Sequence, residues 1–337
     1  MKPFNVLLTA GSRRVALVQA FRTALRSLGL PGSVIVADVN PLSPAVHVAD
    51  RSYRVPLVAD PSYLSEVLSL CEAERVRLVV PTIDDELPLF GASRDRFTAI
   101  GAYVACSSEQ TSLTCNDKLE TCLRLRSAGV SAAATYLPGQ LPPDVRFPLF
   151  IKPRVGRGAV GARMIETPAE LAFFERHVDN PVIQEYLPGP EFTIDVLCDQ
   201  DGRPLSIVPR ERVVIRAGVI DRGRTVDDPK LLSLAEAACR TFRFSGALNV
   251  QCRMRGDEPT IFEINPRFSG GIALTIQAGA DFPALLVKMA LGRPVAPSVG
   301  KFRSDLWMTS FESSFFLEGE DIVSQAFGND VKLGRAA

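Results

Sequence analysis

The segment Gly246–Gly271, GALNVQCRMRGDEPTIFEINPRFSGG, decides how the chain is read. Side chains two apart on a strand share a face. That rule sets Glu263 and Asn265 together and sends Phe262 and Ile264 toward a core. Asn249 and Gln251 share a face of the preceding strand in the same way. With a loop at Arg255–Pro259, the hairpin centre places Gln251 opposite Glu263. Cross-strand neighbours lie about 5 Å apart, so the pattern predicts a cluster of oxygen ligands on one face of two strands. Magnesium prefers hard oxygen ligands, few protein carboxylates, and phosphates to complete its octahedron. Gln251, Glu263 and Asn265 are therefore the candidate Mg²⁺ ligands, with Mn²⁺ as a substitute. Arg267 is placed to grip phosphate oxygens, and Ser269-Gly270-Gly271 offers open backbone amides to a carboxylate or acyl-phosphate. The plain alternative is a polar hairpin face with Asn265-Pro266 as a turn.

Upstream, LFIKPRVGRGAVGARMIE carries Gly156, Gly158 and Gly161. They match G-x-G-x-x-G, but a dinucleotide site needs a helix directly after the loop. Here Arg163-Met164-Ile165-Glu166 reads as a strand and Pro168 follows. A β-hairpin with a glycine-rich tip can lay backbone N–H groups over a triphosphate. Lys152, on the strand before it, would add a point charge. An ordinary glycine hairpin with a solvated lysine explains this segment alone equally well.

The first hundred residues alternate buried strands (Phe4–Thr9, Ser33–Val39, Arg77–Val80) with helical patterns (Val15–Leu28, Ser62–Glu74), which predicts a parallel, Rossmann-like lobe. Further on, Asn116–Ala128 reads as a helix ending at Gly129. Short apolar runs then read as antiparallel strands: Phe150–Lys152, Arg163–Ile165, Val182–Gln184, Phe192–Cys198 and Leu205–Pro209, with helices at Pro168–Val178 and Leu231–Phe242. The expected fold class is α/β and α+β, in three lobes. The end of the tail, Gly334–Ala337, is expected to be loose.

Composition narrows the function classes. Hydrophobic residues are 46% and charged residues 23%, and Lys plus Arg equals Asp plus Glu at 38 each. That balance gives no electrostatic case for nucleic acid or an anionic membrane surface. No apolar run approaches the roughly 18 residues of a membrane span. The N-terminal run Val6–Ala10 is too short for a secretory leader and reads as a buried first strand. The 7 cysteines are irregularly spaced, with no C-x-x-C, so a reducing cytoplasm is the expected compartment. The 2 histidines, His47 and His177, lie far apart and give hydrolase triads or His-metal chemistry little to work with.

Taken in order, these segments resemble the ATP-grasp superfamily, most of all its carbamoyl-phosphate-synthase-like and amino-acid-ligase branches. The resemblance runs from about Asn5 to Pro294. It implies a Rossmann-like pre-ATP-grasp domain followed by a two-subdomain ATP-grasp fold. The boundaries expected are 1–112 for the first domain, 113–183 for subdomain A with the glycine loop, 184–300 for subdomain B with the metal site, and 301–337 for a C-terminal extension. CNDKLET places Lys118 at the first nucleotide-binding lysine, and FIKP places Lys152 at the second. In IQEYLPGPEFTIDV, Glu185 with the backbone of Tyr186 and Leu187 would meet the adenine edge, and Glu191 the ribose hydroxyls. Gln251, Glu263 and Asn265 match the magnesium positions, and Arg267 the phosphate-binding arginine. Many relatives carry an acid where Gln251 stands; the carbamoyl-phosphate-synthase branch shares the glutamine.

The resemblance implies an ATP- and Mg²⁺-dependent ligase that joins a carboxylate and an amine, amino-acid-like in kind, through an acyl-phosphate. Its partners would be small molecules, without nucleic acid or membrane, and relatives are often dimers. Lys152 and Arg267 are the expected catalytic cations. Among Arg210, Arg212, Arg216, Arg222 and Arg224, read mostly as a solvated basic loop, Arg210 is the best candidate to hold the substrate. Asp84-Asp85-Glu86 reads either as a substrate-amine contact or as an acidic helix start. Three other readings compete: bicarbonate phosphorylation, a non-catalytic ATP-binding protein, and an NAD-dependent oxidoreductase. The last is disfavoured because Ala10-Gly11-Ser12-Arg13-Arg14 lacks spaced glycines, although Asp38 sits where a ribose-binding acid would.

Overall fold

The structure, a computed structural model, describes residues 2–158, 160–216 and 218–318. Two compact units emerge. One holds residues 2–106, 281–295 and 311–318, the other 107–280 and 296–310. The expected C-terminal extension is described only to Glu318, and its end, Gly334–Ala337, lies outside the described residues. Among the described residues, no helix is long and apolar enough to cross a membrane.

The first unit is built on five parallel strands: β1 (Asn5–Thr9), β2 (Val34–Asp38), β3 (Arg51–Arg54), β4 (Val76–Pro81) and β5 (Tyr103–Val104). Their order is β3-β2-β1-β4-β5. Every residue of β1 and β2 is buried, as continuous apolar runs in a parallel sheet require. Helix Val15–Ser27 buries Leu17, Val18, Phe21 and Leu25, and Gly29 at φ 64° closes it. The acidic run after β4 turns out to be partly internal. Glu86 is fully buried, accepting from Tyr63 Oη at 2.7 Å and from the Thr82 backbone N–H at 2.8 Å. It is therefore an anchor of the turn and not a contact for a substrate amine.

The second unit carries two antiparallel sheets. The smaller contains β6 (Thr135–Tyr136), β7 (Leu149–Pro153), β8 (Arg163–Ile165) and β9 (Pro181–Glu185), in the order β6-β9-β7-β8. β7 and β8 pair antiparallel around the glycine-rich segment, so this segment is a hairpin tip and no helix follows it. Gly156, Gly158 and Gly161 adopt φ values of 146°, 68° and 74°, which side chains resist. Ahead of this sheet, the helix expected over Asn116–Ala128 runs from Lys118 to Ser127, after an earlier helix that ends at Asn116. Asp117 caps the Lys118–Ser127 helix by accepting from the N–H groups of Leu119 and Glu120. This start puts Lys118 on the first turn.

The larger sheet contains β10 (Glu191–Cys198), β11 (Pro204–Arg216), β12 (Val219–Thr225), β13 (Gly246–Arg255), β14 (Glu258–Asn265) and β15 (Trp307–Thr309). Its order is β14-β13-β10-β11-β12-β15. One face is apolar: Phe192, Ile194, Val196, Val250, Cys252, Ile261 and Ile264 join a core with Leu231, Leu234, Ala235 and Ala238 of helix Pro229–Thr241. Two expectations are corrected here. Phe262 does not enter that core, because the β13–β14 register shifts by one residue beside it and Ile261 takes the inward place. The arginine-rich segment is a pair of strands and not a loop, although Arg222 is exposed as expected. Val213-Val214-Ile215 and Val219-Ile220 extend β11 and pair it with β12.

Deep in this sheet, Arg210 Nε meets Asp195 Oδ2 at 2.8 Å, with both side chains 1% exposed. Arg210 Nη2 donates to Ser269 Oγ at 2.9 Å, and Thr275 Oγ1 also donates to Asp195 Oδ2. The pair thus ties β10 and β11 to the chain after β14. A Cβ on Gly271 would lie 2.6 Å from Arg210 Nη1 and 2.3 Å from Ile220, which is why glycine stands there.

Two predictions follow from the packing. Removing Asp195 leaves a buried guanidinium without its counter-charge, at a cost of about 3–5 kcal/mol. Thermal unfolding of Asp195→Ala should drop sharply, while Asp195→Leu with Arg210→Met recovers most of the loss; a wild-type melting curve for Asp195→Ala would contradict the assignment. Burial pushes the Glu86 carboxyl above its ordinary value despite hydrogen bonds from Tyr63 and Thr82. A carboxyl raised in the native state holds its proton there, so its contribution to stability falls as pH rises from the ordinary carboxylate range through the native value. Urea midpoints across that range should slope downward more steeply in wild type than in Glu86→Gln.

Candidate active site

Opposite the apolar face, the register aligns polar side chains in rows across β11, β10, β13 and β14. Glu191 faces Arg253 on β13, and the β10–β11 register sets Arg212 on its other side. Thr193 lies between Arg210 and Gln251, and Gln251 faces Glu263. Asp195 faces Asn249, which faces Asn265. Strands of period two, paired without slippage in β10 and β13, produce this grid.

The expected metal ligands are brought together. Gln251 stands across from Glu263 as expected, but the turn is shorter than the expected Arg255–Pro259 loop: the strands pair through Arg255 and Glu258, and the one-residue bulge restores the facing. Asn265 Nδ2 donates to Glu263 Oε1 at 3.1 Å and to Asn249 Oδ1 at 3.3 Å. Arg267 Nη2 donates to Asn265 Oδ1 at 3.2 Å, so the arginine and the amide already share a cluster. The donor set suits magnesium: one carboxylate and two amide oxygens, with no sulfur or imidazole. Among the described residues there is no group of three or more His, Cys, Asp or Glu placed to hold a metal. A cation here would need oxygens from a nucleotide to fill its shell.

Lys152 stands against this cluster. Its Nζ lies 3.9 Å from Glu263 Oε2, donates to the Phe262 carbonyl at 3.3 Å, and sits 5.2 Å from the centre of the Phe262 ring. The bulge that keeps Phe262 out of the core supplies that ring. Burial holds the Lys152 ammonium below the ordinary lysine range, opposed by the charge of Glu263. Lys118 is 7% exposed and donates to the Gly156 carbonyl at 2.8 Å. One expected lysine therefore touches the metal cluster and the other touches the glycine loop. The loop tip in turn meets the β11–β12 turn, where a Cβ on Gly218 would come within 3.3 Å of the Gly158 backbone.

The segment expected to line the nucleoside leads from β9 into β10. Glu185 Oε1 accepts from the Ala134 N–H at 2.9 Å and from Arg255 at 3.2 Å. Tyr186 is half-buried and Leu187 buried. Glu191 is held from both sides: Arg212 donates to Oε1, and Arg253 donates to Oε2 from Nε at 3.0 Å and from Nη2 at 2.8 Å. Arg210 alone stands apart from expectation. It is 1% exposed and bonded to Asp195 and Ser269, so it braces the Ser269–Gly271 turn from within. The sequence reading placed Asn249 on the ligand face without giving it a role, and passed over Asp195 and Arg253; both fall on the same period-two face as Gln251 or Glu191, and extending that count would have found them.

Comparisons with known proteins bear on the fold and the family. Residues 177–313 match the family model described as "ATP-grasp in the biosynthetic pathway with Ter operon". Residues 6–105 match "PylC-like, N-terminal domain". The chain is similar to the carbamoyl phosphate synthase large chain of Thermus thermophilus, 24% identical over 325 residues, covering 87% of this chain and 31% of that one. It thus spans about a third of the length of that relative. Its fold is similar to that of an L-amino acid ligase from Bacillus licheniformis, at TM-score 0.67 and 18% identity, covering 90% of this chain and 78% of that one. It is likewise similar to the biotin carboxylase domain of the Hydrogenobacter thermophilus 2-oxoglutarate carboxylase, in complex with MgADP, ADP and bicarbonate, at TM-score 0.69 and 17% identity, covering 91% and 74%. Residues 177–313 are thus identified by an ATP-grasp family model and residues 6–105 by a PylC-like N-terminal domain, and the chain is similar over most of its length to carbamoyl phosphate synthases and, in fold, to an amino acid ligase.

Proposed function

We propose that this protein joins a carboxylate to an amine at the expense of ATP, through an acyl-phosphate, releasing ADP and phosphate. The observation that carries the reading is the single face holding Gln251, Glu263 and Asn265, with Lys152 3.9 Å from Glu263 and Arg267 bonded to Asn265. The domain assignment proposed with it is 1–112, 113–183, 184–300 and 301–337. The substrates are small and amino-acid-like.

In this mechanism Gln251, Glu263 and Asn265 would hold Mg²⁺. When bound, the ion neutralises charge on the triphosphate. Lys152 and Lys118 neutralise phosphate oxygens, and Arg267 steadies the phosphoryl group as it passes from ATP to the substrate carboxylate. The γ-phosphorus–oxygen bond to ADP breaks as a bond to a carboxylate oxygen forms. The amine nitrogen then attacks the acyl carbon, loses a proton and expels phosphate. Positioning and charge neutralisation lower most of the barrier in such transfers. The amides of Gly156–Gly161 cover the phosphates and exclude water, which would otherwise hydrolyse the acyl-phosphate. Glu185, with the Tyr186 and Leu187 backbone, takes the adenine edge, and Glu191 the ribose. Arg210, from its buried place, shapes the Ser269–Gly271 turn that receives the acyl group.

A second reading has one specific support, the likeness to carbamoyl phosphate synthase. In it bicarbonate is the carboxylate that is phosphorylated.

ADP release should be measured with paired amino acids and with bicarbonate alone, and new amide products identified by mass. The proposal expects release to require both a carboxylate and an amine. Stimulation by bicarbonate alone would favour the second reading. Glu263→Gln removes the only carboxylate of the ligand set and should lower turnover at least a hundredfold, on the order of 3 kcal/mol. Near wild-type ADP release from that variant would overturn the metal assignment.

A further inference from the structure

Glu191 is gripped by two arginines of different character. The Arg212 side chain is 6% exposed and fixes Oε1 from the buried side. Arg253 is 32% exposed, and its reach is longer. Nε and Nη2 take Glu191 Oε2, while Nη1 donates to the Leu187 carbonyl at 3.2 Å. One guanidinium therefore spans the interval from Leu187 to Glu191. On the nucleotide reading, on which this inference rests, that is where base gives way to sugar.

We infer that Arg253 is a nucleoside-contacting residue that, with Glu191, recognises the ribose diol. The chemistry is complementary. Each ribose hydroxyl is both donor and acceptor, a carboxylate only accepts, and a guanidinium only donates. Glu191 Oε1, which accepts only from Arg212, has a lone pair left to take one hydroxyl hydrogen, and Arg253 donates to the hydroxyl oxygens. A guanidinium carries five N–H groups, and the bonds to Glu191 and Leu187 leave one hydrogen on each terminal nitrogen for the ligand. Arg212 holds the carboxylate in place while Arg253 faces outward. Register supports the pairing: Glu191 and Arg253 are direct cross-strand neighbours on the same face as Gln251, so the sugar and phosphate ends of the ligand follow one row of strands. Placed this way, Arg253 acts on the nucleoside and not on the triphosphate.

The test is binding of ATP, 2′-deoxyATP and inorganic tripolyphosphate, each with Mg²⁺, to wild type, Arg253→Met and Arg253→Lys. Methionine keeps the apolar stem and removes the donors. Arg253→Met should lose about tenfold in ATP affinity, the loss of a charge-assisted hydrogen bond. It should lose much less for 2′-deoxyATP and nothing for tripolyphosphate, so the ATP preference over 2′-deoxyATP collapses. Arg253→Lys should restore part of that preference. An unchanged preference, or an equal loss for all three ligands, overturns the inference and leaves a packing role. Failure of folded wild-type protein to bind ATP would overturn the nucleotide reading and this inference together.

Discussion

The pairing of β13 with β14 is the constraint on which the rest depends. Gln251 faces Glu263 only because the ladder slips by one residue beside Phe262. Without that bulge, Glu263 and Asn265 would exchange faces with their neighbours. The ligand cluster would then turn into the apolar core beside Val250 and Ile264. The same slip turns Phe262 outward, and its ring and carbonyl become the support for Lys152. One local irregularity therefore sets the carboxylate, its companion amide and the nearest cation at once. Bulges recur next to functional sites for this reason, since they re-aim side chains that a regular strand would bury.

Around that hairpin the site is held by charge pairs of very different depth. Asp195 and Arg210 are buried together, and their value lies in tying the turn after β14 to the centre of the sheet. Glu191 and Arg253 are neighbours at the sheet's polar face, one nearly buried and the other a third exposed. The first pair is bracing, and the second is available to a ligand. Lys152 is intermediate: close to Glu263, yet held below the usual lysine range by burial. A polyanion would find a preformed but under-neutralised cation there, which is the situation electrostatic preorganisation requires.

Much of this was legible in the residues. Alternation of ligand types with apolar residues on β14 pointed to the face that brings Gln251, Glu263 and Asn265 together. The expected loop at Arg255–Pro259 put Gln251 opposite Glu263, but the strands pair on to Arg255 and Glu258, and the bulge restores that facing. The glycine hairpin was separable from a dinucleotide loop because a strand, not a helix, follows Gly161. Other features were not legible, and each for a physical reason. A bulge leaves no mark in composition, so Phe262 was assigned inward. Arg210 and Arg212 looked like members of a basic loop because their counter-charges, Asp195 and Glu191, lie on another strand. Ion pairs across strands depend on register, and register is a property of the folded sheet. The start of the helix at Lys118, two residues past the expected one, shows only in the capping of its first turn by Asp117.

The central claim is that this face holds a divalent ion jointly with a nucleotide. One carboxylate and two amides are a weak cage on their own, so the ion should arrive with the phosphates. Electron paramagnetic resonance of Mn²⁺ tests this directly, with protein alone and with protein plus ADP. The account predicts little bound Mn²⁺ without nucleotide, and an ADP-dependent bound signal that Glu263→Gln removes. Tight Mn²⁺ binding without nucleotide, or an ADP-dependent signal that survives in Glu263→Gln, would contradict it.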